Sequence, residues 1–188
     1  MAHTNVAAQV AKLIEELRAA GAPKDDAAMT RLAAKISRGF EVRKDEVAIL
    51  HLFPDTRVLK FLYPLRLAPV GSIPITTTHS LAAKTIRERR GEIVNNFGAY
   101  RHPTIFEAVD LYEDERAVPI VKIMSSPLIV DGKVVGVIQV SRKGRSGEPV
   151  GPDFTHDDLT ELAAVGSVLG KYLAESSSGA AVPPKTKT

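Results

Sequence analysis

SSPLIVDGKVVGVIQVSRKG, residues 125–144, consists of two apolar runs joined by Asp131-Gly132. Asp-Gly between alternating apolar residues is a strong hairpin signal, because a tight turn needs positive φ and Gly supplies it without steric cost. Pro127 interrupts the first run, so a bulge or a sheet edge is expected there. A basic loop, Arg142 to Arg145, and a Gly/Pro-rich stretch follow. They lead into Phe154-Thr155-His156-Asp157-Asp158-Leu159, which reads as the capped start of a long helix.

Working outward, the first forty residues have helical texture. Val6, Val10, Leu13, Ile14 and Leu17 repeat at helical spacing, and Gly21-Ala22-Pro23 ends that run. Asp25 or Asp26 can cap a second helix with the stripe Met29, Leu32, Ala33, Ile36 and Phe40. Two short strands follow, Glu46–Phe53 and Arg57–Tyr63, split by the turn residues Pro54-Asp55-Thr56. Pro64–Pro74 reads as an irregular crossover. Thr76, Thr77 and Thr78 offer caps for a short helix His79–Arg90, and Glu92–Asn95 reads as one more short strand. Residues 96–103 read as a loop and Thr104–Glu113 as a short helix. The second hairpin spans about Ile120–Ser141, and the last helix spans about Thr155–Ala174, with Thr155 and Asp158 in capping-box positions.

Two strand pairs separated by a crossover, with long helices at both ends, predict an α+β fold. A central antiparallel sheet carries the terminal helices on one face, and the middle segment roofs a pocket on the other. Residues 1–24 read as an N-terminal helix, 25–174 as the domain, and 175–188 as a disordered tail rich in Ser, Pro and Lys.

Composition narrows the function classes. No apolar run approaches the roughly 20 residues of a membrane span, and no basic-then-apolar leader opens the chain. The chain has no Cys, which excludes disulfides, zinc–thiolate sites and Cys nucleophiles. A cytoplasmic location without membrane association fits. The net charge of +3 is mild, and the clusters Arg87, Arg89, Arg90 and Arg142, Lys143, Arg145 are interleaved with Glu88, Glu92 and Glu148. With aromatics at 5% and no Trp, these read as solvated surface and not as a nucleic-acid face.

The pattern Ser126-Pro127-Leu128, Asp131-Gly132, Val135 to Val140 and Phe154-Thr155 to Leu159 resembles the GAF domain, a small-molecule sensor module. Gly71-Ser72-Ile73-Pro74 is similar to the family's entry into its mid-domain helix. The resemblance covers about Asp25 to Ala174. It implies a GAF/PAS-like sheet of five or six strands, a ligand cavity between sheet and roof, and a homodimer formed through the terminal helices. Some cyclic-nucleotide-binding members carry an N-K…F…D-E signature. Lys143, Phe154 and Asp158 match it as a structural brace of the lid, and a Lys143–Asp158 ion pair is the expectation; Arg142 and Leu159 depart from it. The departures argue against cyclic nucleotides. The absence of Cys removes covalent tetrapyrrole attachment and the family's Cys-dependent reduction of free methionine sulfoxide.

Candidate ligand residues follow from this layout, each beside a plainer reading. Thr76, Thr78, His79 and Ser80 stand at a helix start, where backbone N–H groups can hold an anion or simply be capped. Asn95, Asn96, Tyr100, His102 and Phe106 lie in the segment that should roof the cavity, where polar tips orient ligands and also serve turns. Lys122 and Met124 belong to one face of a strand whose other face is Val121, Ile123 and Ser125; alternation alone does not choose between them. The five histidines show no metal spacing, so neither a metal nor a cofactor is expected. The expectation is a non-enzymatic, dimeric sensor of an unidentified small molecule, signalling to a separate output protein. A ligand-free structural or interaction module is the alternative, and an enzyme on a GAF fold the remote one.

Overall fold

The computed structural model describes residues 5–99, 118–145 and 147–175. Helices α1 (Val6–Ala19) and α2 (Asp26–Gly39) come first. Then follow strands β1 (Val47–Phe53), β2 (Val58–Tyr63) and β3 (Ser72–Pro74), helix α3 (Leu81–Glu88) and strand β4 (Glu92–Val94). Strands β5 (Ile120–Val130) and β6 (Lys133–Lys143) and helix α4 (His156–Ala174) complete the order. The strands form one antiparallel sheet in the order β3-β2-β1-β6-β5-β4. The α+β expectation and the strand count hold. The crossover holds more order than expected, because Ser72–Pro74 pairs with β2 as a sixth strand.

Local chemistry sets the ends of the elements. Asn5 accepts from the Ala8 N–H at 2.8 Å, and Asp25, not Asp26, accepts from the Ala28 N–H at 3.0 Å. Each such cap contributes about 1 kcal/mol. Thr155 and Asp158 form the reciprocal capping box of α4: Asp158 accepts from the Thr155 N–H at 2.7 Å, and Thr155 accepts from the Asp158 N–H at 3.2 Å. At the β5–β6 turn, Asp131 and Gly132 both have positive φ, +48° and +74°. That is the backbone of a type I′ turn, whose twist matches the strands it joins. Pro127 meets the edge half of its expectation and not the bulge half, because it pairs with Val137 in regular register. The pairing register shifts only beyond it, between Leu128 and Ile129, where β6 carries the extra residue Val135, and β4 reaches only Ile123–Ser125. Among the described residues, β5 is therefore an edge at Pro127.

Alternation divides the sheet into two faces. Val47, Ile49, Met124, Leu128, Ile138 and Val140 pack under α1, α2 and α4 in the larger core. Ala48, Leu50, Leu59, Phe61 and Val137 pack on the opposite side under the middle segment, with Leu67, Ile73 and α3 residues Ala82, Ala83 and Ile86. A bulge at Val121 lets Ile120 and Ile123, three residues apart, join one small cluster with Leu81, Val94 and Phe97. α4 buries Leu162, Val165, Leu169 and Tyr172 against the helix face. Full burial of an apolar side chain this size is worth roughly 1.5–3 kcal/mol.

Gly136 lies close against the β1 backbone, and a Cβ there would overlap the Leu50 carbonyl oxygen. Backbone cannot yield as a flexible side chain does. Gly136→Ala is expected to cost about 3 kcal/mol, the upper end of overpacking; urea denaturation measures this, and a loss under about 0.5 kcal/mol contradicts the close approach.

His51 stands on the helix side of β1 with its Nδ1 buried and without a hydrogen bond among the described residues, and burial holds its pKa below 6.5. The unfolded chain therefore takes up the proton at higher pH than the folded one. Stability is full above about pH 6.5 and falls as pH drops through the unfolded pKa toward the folded one. His51→Gln is expected to flatten that part of the stability–pH curve; an unchanged slope refutes the assignment.

Candidate functional site

The roof-side face of the sheet carries one buried polar chain. Gln139 lies between Ala48 on β1 and Ser125 on β5, its direct partners in the two ladders. Above them α3 brings down Thr85. Thr85 Oγ1 donates to the Leu81 carbonyl at 2.9 Å, a back-bond within its own helix. Its single proton is thereby used. The 2.7 Å contact between Thr85 Oγ1 and Ser125 Oγ must then be donated by Ser125. Ser125 Oγ is left to accept, and Gln139 Nε2 donates to it at 3.2 Å. The order of protons fixes the amide: nitrogen toward Ser125, oxygen away.

Gln139 Oε1 has no hydrogen-bond partner among the described residues, although the residue is only 3% exposed. Ala48 on its other side has no polar side-chain atom. A buried acceptor left unsatisfied costs about 1–3 kcal/mol. Nothing in the trio ionises near neutral pH, so it suits recognition by hydrogen bonding better than proton transfer. At the rim, Lys84 of α3 pairs with Glu92 of β4 at 2.6 Å. Among the described residues no group of three His, Cys, Asp or Glu side chains is placed to hold a metal.

The residues singled out from sequence land in several places. Thr76, Thr78 and His79 are exposed in the loop before α3. The helix starts later than expected, at Leu81, and the cap is Ser80, which accepts from the Ala83 N–H at 3.2 Å. The three threonines therefore do not cap it. Asn96 is exposed. Asn95 is turned away from the trio: its Nδ2 donates to the Phe154 carbonyl at 3.0 Å and its Oδ1 accepts from the Phe154 N–H at 2.9 Å. That pair of bonds splints the entry to α4 as a strand neighbour would. Met124 points into the helix-side core, so it cannot line the roof side. Lys122 donates to the Gly151 carbonyl at 2.7 Å and pairs with Asp153 at 2.7 Å. The roof-side set is the other one, with Ile123 and Ser125. Tyr100, His102 and Phe106, and the expected helix Thr104–Glu113, lie outside the described residues.

The expected brace is built from different pairs. Lys143 reaches the Asp45 carbonyl at 2.8 Å and its carboxylate at 3.4 Å, not Asp158. Asp158 is held in the capping box, where the Thr155 hydroxyl also donates to it at 2.8 Å. Burial would raise the Asp45 pKa, but the hydrogen bond from Arg43 and the charge of Lys143 outweigh it and hold the carboxyl below its ordinary range. Burial also lowers the Lys143 pKa, with Asp45 offsetting part of that. Phe154 is buried beneath Arg142, whose guanidinium lies 4.9 Å from the ring centroid. Arg142 also donates to the Glu41 carbonyl at 3.1 Å and the Phe40 carbonyl at 3.5 Å, closing the C-terminus of α2.

Gln139 is the residue that sequence reading passed over. A long polar side chain in Val137-Ile138-Gln139-Val140, a run apolar on both sides, was the available signal.

The family model of the GAF domain matches residues 26–173. Among solved structures, the GAF domain of an Acinetobacter phosphoenolpyruvate-protein phosphotransferase is 13% identical, with 93% of this chain and 95% of that one covered at a TM-score of 0.65. A free methionine-R-sulfoxide reductase from Neisseria meningitidis, in complex with its substrate, is 17% identical, with 93% and 90% covered at 0.62. A GAF sensor protein from Burkholderia vietnamiensis, itself described as putative, is 18% identical, with 90% and 92% covered at 0.60. Comparison with curated proteins finds no match. At these identities the solved structures speak for the fold alone, and the family match extends over most of the chain. The chain belongs to the GAF domain family.

Proposed function

We propose that this chain is a non-enzymatic, cytoplasmic sensor domain. It binds a small molecule between the roof-side sheet face and the middle segment, and it signals to a separate partner protein. The observation that carries this reading is Gln139 Oε1, a buried acceptor held in place by Ser125 and Thr85 and left without a donor among the described residues. A ligand with an N–H or O–H group would satisfy it. Reduction by a thiol, the chemistry open to a reductase on this fold, has no nucleophile in a chain without Cys. No helix among the described residues is long and apolar enough to cross a membrane.

Signal passage uses strand alternation. Gln139 faces the ligand side, while its neighbours Ile138 and Val140 pack in the core shared with α1, α2 and α4. A ligand that prefers one setting of β6 shifts the population of helix packings behind it.

Gln139→Leu tests the reading. The ligand-free protein is expected to keep its stability or gain about 1 kcal/mol, because a lost hydrogen bond is offset by removal of an unsatisfied acceptor. Thermal shifts produced by members of a metabolite library are expected to disappear. A library that stabilises nothing leaves the ligand-free module as the better description. A loss of about 2 kcal/mol or more in the free variant shows the amide to be structural.

Homodimerisation through the terminal helices is part of the same proposal, with its surface revised. The apolar stripes of α1 and α4 are buried within the domain, and Phe53, at 39%, is the one large apolar side chain exposed among the described residues. The dimer must therefore use outward positions such as Ala163, Ala164 and Ser167 of α4, whose small side chains permit close helix approach. Light scattering on a sizing column is expected to give twice the chain mass, and Ala164→Glu to halve it. A wild-type monomer removes this part of the proposal.

A further inference from the structure

A concavity lies on the helix side of the sheet, away from the Gln139 trio. It is a cleft of about 360 Å³ where the start of α2, the end of α4 and the strands β1 and β2 meet. That size is at the low end of the ligand-pocket range of roughly 300–1,000 Å³. Its apolar wall includes Met29 of α2, Leu62 of β2 and Leu173 of α4. His51 of β1 also lines it, and its Nδ1 is buried without a hydrogen bond among the described residues.

The charges around the cleft do not cancel. Asp25 and Asp26 both line it. One Asp25 oxygen caps α2, but the Asp26 carboxylate has no hydrogen bond or ion pair among the described residues. The cleft's cation, Lys24, is already committed. It donates to the Tyr172 carbonyl, lies 4.5 Å from the Tyr172 ring centroid, and pairs with Glu175 at 3.7 Å. Lys24 shares Glu175 with Arg18, which also pairs with Glu15, so these two cations and two carboxylates balance and Asp25 and Asp26 remain over an apolar wall. The unpartnered His51 ring nitrogen together with the two carboxylates suits a donor-rich cation.

We propose that this cleft binds a small primary ammonium ligand, with its apolar body against Met29, Leu62 and Leu173 and its NH₃⁺ group directed to Asp26 and His51. Such a group offers three donors and one positive charge. The site is independent of the roof-side reading. It touches α2 and α4 directly, so occupancy ties the two helices to the sheet.

The chain's three methionines provide the readout. With ¹³C-methyl-methionine in the full chain, benzylamine is titrated at pH 7 against benzyl alcohol, which has the same ring and no charge. The Met29 signal is expected to move saturably with benzylamine while Met124, packed elsewhere in the core, stays in place. Benzyl alcohol is expected to bind at least about tenfold more weakly, the effect of losing one charge-assisted contact. Asp26→Asn, an exposed change that leaves the fold intact, is expected to weaken benzylamine by about the same factor, and His51→Leu to weaken it as well. Gln139→Leu should leave the titration unchanged, which separates this site from the roof-side one. A Met29 signal that does not saturate, equal binding of the alcohol, or indifference to Asp26→Asn overturns the proposal.

Discussion

Strand β6 is the constraint on which the rest depends. It pairs with β1 on one side and β5 on the other, so the two halves of the sheet meet along it. At Gly136 the β1 backbone comes so close that no side chain fits between them. This contact sets how far β1 and β2 swing relative to the β5–β6 hairpin. That in turn decides whether Ala48, Gln139 and Ser125 form one row across three strands. The polar trio beneath α3 is a consequence of that row.

Buried polar groups at the sheet's end do related work. Glu46 is buried just before β1, and its carboxylate accepts from the Arg43 N–H at 2.7 Å and the Lys143 N–H at 2.6 Å. Its carbonyl accepts from Ser141 Oγ at 3.2 Å. These bonds fasten the start of β1 to the end of β6. Arg142, which departs from the family's cyclic-nucleotide signature, carries a comparable load: it covers Phe154 and closes α2. An Asn is too short to do both. The departure is thus a local solution for holding α2 and the approach to α4 together.

What was legible in the sequence was local. Asp131-Gly132 and the Thr155–Asp158 box act within four residues, and both are found as expected. The start of α3 was misplaced because Thr76, Thr77, Thr78 and Ser80 are all competent caps. The deciding fact is that Leu81 is the first residue to bury a helical face. The Lys143 partner was missed for a different reason. Asp45 is 98 positions away, and only the closed β1–β6 pairing brings them together. The alternation along β5 was readable but its phase was not. The phase depends on which side the helices occupy, and the Val121 bulge resets it. Gln139 matters through the direction of two hydroxyl protons in a tertiary chain, which no spacing encodes.

The same alternation joins the two sides of the domain. On β6, residues 137 and 139 face the roof and residues 138 and 140 face the helices. On β5, Ser125 faces the roof, while Met124 on one side of it packs under the helices. A rigid strand pair cannot move one set without the other, because protein interiors are too densely packed to absorb the displacement. The helix-side core is large and continuous, running from Val6 to Leu173. The roof-side core is smaller and holds an acceptor, Gln139 Oε1, with no partner among the described residues. Among the same residues the helix side carries unpartnered buried polar atoms of its own, His51 Nδ1 and the Tyr172 hydroxyl, so both faces hold unsatisfied groups and the dense strand pair between them couples any shift of one to the other.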